Sequence, residues 1–120
     1  MSDNVPVFTL WEEFVIWMLH HTDKFPKSKR FSFSLRIENL ILDILQDIVR
    51  ASYSKPYQKI QYLESINLNL TVLRIFLRVA MKEKYLTYNS YEFATEKIEE
   101  VGKMIGGWKK SLDEKSKPSL

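Results

Sequence analysis

The sequence predicts an all-α, up-down-up-down four-helix bundle, and three observations carry that prediction. Three glycines, two of them adjacent, and four prolines leave few turn sites in 120 residues, and no segment alternates apolar and polar residues as a half-buried strand does. Apolar residues instead recur at intervals of three and four along four separate stretches, the spacing that lines one side of a helix. Short breakers part these stretches, and the shortest, between the second and third, makes those two helices antiparallel neighbours. With 45% hydrophobic and 28% charged residues, the chain reads as a single domain over residues 1–113 with a polar tail over 114–120.

The first helix is expected after Pro6, or from Thr9 with Glu12 completing a capping box, and runs to about Thr22. Its core side holds Phe8, Trp11, Val15, Met18 and Leu19, with Phe14 and Trp17 on the flanks. Lys24-Phe25-Pro26 ends it, because the residue before proline is pushed out of the helical region. The second helix starts between Ser28 and Ser32 and continues to about Tyr53. Ile37, Leu40, Ile41, Ile44, Ile48 and Ala51 form its core row, leaving Asp43, Asp47 and Arg50 outside. Ser54 is the expected N-cap of the third helix, with Pro56 tolerated in its first turn.

The third helix, from Pro56 to Lys84 or Tyr85, organises the chain. One apolar row, Leu63, Ile66, Leu70, Leu73, Leu77 and Ala80, must face the core. A second, Leu68, Val72, Ile75 and Val79, falls about 160° around the axis at roughly 100° per residue. A monomeric surface helix needs only one such row, so the second is read as an oligomer interface. Between the rows Arg74, Arg78 and Lys82 lie on one narrow strip with Asn67 and Thr71.

Thr87 or Asn89 caps the fourth helix. Tyr91, Ala94, Ile98, Val101, Ile105, Trp108 and Leu112 then keep the three-four alternation of a left-handed bundle. Gly102 and Gly106 would each cost about 1 kcal/mol in an exposed helix, which another backbone packed closely there would explain, so both are assigned to the oligomer interface.

Chemistry-bearing motifs are few. Cysteine is absent, which removes disulfides and thiolate chemistry. His20 and His21 diverge by about 100° on a helix and do not share a metal; they suit the helix C-terminus. Asp43 and Asp47 stand one turn apart without a partner base or nucleophile, and helical ion pairs account for them, as for Glu96, Glu99 and Glu100 beside Lys97 and Lys103. No phosphate-cradling glycine loop or nucleophile elbow is present, and neither metal, cofactor nor enzymatic activity is expected. Asn69-Leu70-Thr71 matches a glycosylation sequon but lies mid-helix. The opening residues fit neither a signal peptide nor a transmembrane span, so a cytoplasmic location without membrane contact is expected.

Net charge is +3, and the stretch from Lys55 to Lys84 carries six cations against two acids. Arg74, Arg78 and Lys82, with Lys55 and Lys59, are the candidate residues for an anionic or protein partner. The strip reads either as a nucleic-acid or protein-partner surface or as an ion-pair belt, with Glu64 or Glu99 as its acids. The six tyrosines cluster toward the helix ends, where they plug bundle termini or stack on exposed bases.

Four segments, KFPKSKRF, LRIFLR, KYLTYNSYE and IEEVGKMIGGW, together resemble the accessory variability determinant (Avd) proteins of diversity-generating retroelements. These sit within a broader set of bacterial four-helix-bundle proteins that includes those of ribosomal-RNA intervening sequences. The resemblance spans about Trp11 to Trp108. The bulky second helix, ENLILDILQDIVRA, favours the retroelement branch over relatives with a small-residue-rich one. The resemblance implies a barrel-like homopentamer that binds a reverse transcriptase and RNA or DNA and assists mutagenic copying without catalysing it. The family's functional arginine pair matches Arg74 and Arg78. A ribosomal-RNA-associated bundle or a purely structural oligomer are the alternative readings.

Overall fold

The computed structural model describes residues 5–116, and within them the chain is helical with no strand. Helix α1 spans Val5–Thr22, α2 Leu35–Tyr53, α3 Pro56–Lys82 and α4 Tyr88–Ser116. Each helix packs on the next and α1 also packs on α4, which closes a four-helix bundle measuring 58 × 23 × 21 Å.

The expected core rows on three helices are buried. On α2 these are Ile37, Ile41, Ile44, Ile48 and Ala51, with Leu40 half-buried at the edge. On α3 the whole first row is buried, and on α4 Ala94, Ile98, Val101 and Ile105 are, flanked by half-buried Tyr91, Trp108 and Leu112. Helix α1 departs from expectation. Phe14 enters the core beside Val7, Trp11, Val15 and Met18, while Phe8 and Leu19 stay half-buried. The cause is aromatic stacking: Phe14 lies 4.7 Å from Trp11 and 5.7 Å from Trp17, ring centroid to centroid, so the apolar arc tilts toward α4. The Trp11 indole N–H donates to the Ile41 carbonyl at 2.9 Å, tying α1 to α2.

The expected start of the second helix, between Ser28 and Ser32, falls on irregular helical turns, and the regular α2 begins only at Leu35. A 3-10 turn, Lys27–Lys29, leads into a π-helical turn, Arg30–Ser34, that runs straight into α2. Phe25, buried, anchors it. Ser54 does not cap α3; its hydroxyl turns back to the Arg50 carbonyl at 2.5 Å, finishing α2. The N-cap of α3 is Lys55, without a side-chain cap bond, followed by Pro56 in the first turn. Asp47, expected outside the core, is buried. Helix α3 covers that flank, and the carboxylate accepts from the Ser65 hydroxyl at 3.2 Å and from Arg50 at 3.5 Å.

Helix α3 ends at Lys82, two to three residues before the expected point. The Tyr85 N–H donates to the Ala80 carbonyl at 2.8 Å and the Lys84 N–H to that of Met81 at 3.0 Å. This pair of bonds places Lys84 at φ 65°, the left-handed position usually given to glycine. Lys84→Gly is therefore expected to raise the unfolding free energy by about 1 kcal/mol, read as a higher urea midpoint at unchanged slope. A lower midpoint would show that the lysine side chain stabilises the turn.

Thr87 caps α4, its hydroxyl accepting from the Ser90 N–H at 3.1 Å. The helix continues to Ser116, past the expected end near Leu112, while residues 117–120 of the expected tail lie outside those described.

Candidate nucleic-acid and partner interface

Helix geometry sets Arg78 about 6 Å and Lys82 about 12 Å along the axis from Arg74. All three are exposed, and among the described residues none makes an ion pair. The two acids that could have formed a belt with them are engaged elsewhere. Glu64 pairs with Lys109 across α3 and α4 at 3.2 Å, and Glu99 pairs with Lys103 at 3.6 Å. The strip thus keeps its charge available for an external anion.

The second apolar row borders this strip. Leu68 is 65% exposed, Ile75 44% and Val79 42%, while Val72 is half-buried. A different helix carries another such row that periodicity reading passed over. Leu35, Leu42 and Val49, spaced seven apart on α2, are also exposed, on the side opposite that helix's core. Between the π-turn and α3 runs an open groove of about 500 Å³ lined by Phe33, Arg36, Ile75, Phe76, Val79 and Tyr85 among others. The Arg36 guanidinium lies 5.5 Å from the Phe76 ring centroid, a cation–π distance.

Other candidates separate from the strip. Lys59 sits about 22 Å along the axis from Arg74 and has a structural task. Its ammonium donates to the Ala51 and Ser52 carbonyls at 2.7 and 3.2 Å, closing the C-terminus of α2 where cations are favoured. Lys55 is exposed at that same far end. Among the described residues no backbone of another helix comes within 4 Å of a Cβ placed on Gly102 or Gly106. A Cβ on Gly102 would meet only a Leu70 methyl at 4.0 Å, and one on Gly106 nothing within 4 Å. A backbone packed closely on these glycines would therefore come from another subunit.

His21 has an ordinary role. Its Nδ1 lies 2.8 Å from the Trp17 carbonyl, which can only accept, so Nδ1 carries the proton; the ring lies against Trp17 in a tilted contact, centroids 3.8 Å apart. No group of three or more metal-ligating side chains occurs among the described residues, and no helix there is long and apolar enough to cross a membrane. Of the tyrosines, Tyr53, Tyr57 and Tyr88 are exposed, whereas Tyr85 packs against Phe25 and Phe33 at 5.8 and 6.1 Å.

The concentration of charge on α3 is only half of the electrostatic pattern. Residues 24–36 contain five cations and no acid, a denser run than Lys55–Lys84. The ring contacts of Phe33 with Phe76 and Tyr85 bring this run to the end of the bundle where α3 finishes. A charge window along the sequence would have shown it.

No curated protein and no solved structure matches the chain. A family model does: residues 8–112 match the one described as bAvd-like. That span takes in the greater part of all four helices, with the strip and both exposed apolar rows, and by it the chain belongs to the bAvd-like family.

Proposed function

We propose that this protein is the non-catalytic accessory subunit of a diversity-generating retroelement, a cytoplasmic homopentamer that binds the reverse transcriptase and its RNA or DNA during mutagenic copying. The family match over residues 8–112 carries this reading. Two features of the chain support it. Arg74 and Arg78 are exposed and unpaired among the described residues, available to phosphates or carboxylates of a partner. The exposed apolar rows lie on two different helices, α2 and α3, and two different patches of one chain that pair head to tail make the contact type from which closed rings are built. Leu68, Ile75 and Val79 are the proposed interface residues of α3, with Val72 at their edge and Gly102 and Gly106 on the neighbouring helix.

Co-expression with the cognate reverse transcriptase tests the reading. The polymerase is expected to co-purify with the wild-type chain at low salt, and failure to retain it would remove the accessory assignment. Arg74→Ala/Arg78→Ala is expected to keep helicity and native mass while weakening polymerase or nucleic-acid binding about tenfold or more, at about 1.5–3 kcal/mol per lost charged hydrogen bond. Loss of the oligomer in that variant would instead make the arginines structural.

A further inference from the structure

We infer that the connection between α1 and α2, residues 24–36, is a binding site for single-stranded nucleic acid, with Phe31 as a base-stacking platform and the surrounding cations as phosphate contacts. The inference deepens the nucleic-acid part of the proposed function and rests on it for the class of occupant. Lys24, Lys27, Lys29 and Arg30 are exposed and make no ion pair among the described residues. In their midst Phe31 is 84% exposed, the most exposed large apolar side chain described.

That exposure belongs to a segment anchored to the bundle on both sides of Phe31. Phe25 is buried, and Phe33 packs against Phe76 and Tyr85, each at 6.1 Å. Two residues apart on the π-helical turn, Phe31 and Phe33 point to roughly opposite sides, so anchoring one presents the other. The platform therefore needs little ordering when a ligand arrives. The flanking carboxylates are Asp23 and Glu38, and Glu38 is engaged by the Thr22 hydroxyl at 2.5 Å.

An exposed ring among cations matches the two recognition elements of single strands, base stacking and backbone neutralisation. A duplex hides its base faces and would use only the cations. A lone phenyl flanked by Ser28, Ser32 and lysines lacks the broad apolar face of a membrane-surface helix. An acidic peptide would leave the ring without a purpose.

Fluorescence anisotropy with labelled oligouridylate and with an RNA duplex, over a salt series and without polymerase, tests the site. Phe31→Ala is expected to weaken oligouridylate binding about 5- to 150-fold with duplex affinity and salt slope unchanged, and Phe31→Trp to restore it. Lys29→Ala/Arg30→Ala is expected to reduce the single-strand salt slope by about 1.4. Circular dichroism of each variant is expected to match wild type, since all three side chains are exposed. Equal oligouridylate affinity in Phe31→Ala, or equal losses on single strand and duplex, would overturn the site. So would Phe31-dependent binding to phosphatidylserine vesicles without RNA binding. If Arg74→Ala/Arg78→Ala loses oligouridylate and Phe31→Ala does not, this site falls while the accessory function stands.

Discussion

Trp11→Ala is expected to lower the unfolding free energy by about 3–5 kcal/mol, the range for removing a large aromatic from a packed core. Trp11 is fully buried, stacks on Phe14 at 4.7 Å and donates its only polar hydrogen to a carbonyl of α2. The truncation therefore opens a cavity and removes the tie between two helices together. For a domain whose total stability is about 5–15 kcal/mol, this is a large share, visible as a fall of roughly 10–20 °C in the thermal midpoint. Trp11→Phe keeps most of the volume and loses the hydrogen bond, so its expected cost is smaller, about 1–2 kcal/mol. Urea unfolding followed by circular dichroism measures both. A loss under 1 kcal/mol in the alanine variant would mean that α1 docks without help from this side chain.

Leu68→Asp/Ile75→Asp is expected to reduce the native mass from multimer to monomer without loss of helicity. In the isolated subunit Leu68 is 65% and Ile75 44% exposed, so aspartates there meet water and disturb no core contact. At a subunit seam the same carboxylates would be buried without partners, costing several kcal/mol per subunit. Native mass spectrometry at matched concentration distinguishes the outcomes. If the variant stays multimeric, α3 is not the seam, and Leu35, Leu42 and Val49 on α2 become the face to alter.

Much of this fold was legible along the chain. The core rows of α2, α3 and α4 follow from local periodicity, and the observed burial repeats them almost residue for residue. Thr87, one of two possible caps, was readable because a capping hydroxyl acts three residues away. Helix α1 was harder. Its aromatics crowd every side, so periodicity could not decide that Phe14 rather than Phe8 goes inside; stacking on Trp11 and Trp17 did. Asp47 was misplaced, and the contact of Lys59 with α2 missed, for a related reason. Each looks solvent-facing on its own helix, yet each meets a partner on a neighbouring helix, the Ser65 hydroxyl for one and the α2 C-terminal carbonyls for the other.

The candidate interface divides in the same way. The spacing of Arg74, Arg78 and Lys82 is a property of one helix, so residue order alone placed them on one strip. Whether they were spent on internal ion pairs depended on which residues Glu64 and Glu99 reach, and those are contacts across and along helices. The basic run at 24–36 was present in the sequence, but its joining to the end of α3 and the outward face of Phe31 required the packing of Phe25, Phe33, Phe76 and Tyr85. The sequence by itself determined helix number, core rows and charge order, because each depends on neighbours within one or two turns. The tertiary structure alone decided which polar groups are satisfied and which apolar groups are left in water, because burial and pairing depend on distances between helices that no local pattern encodes.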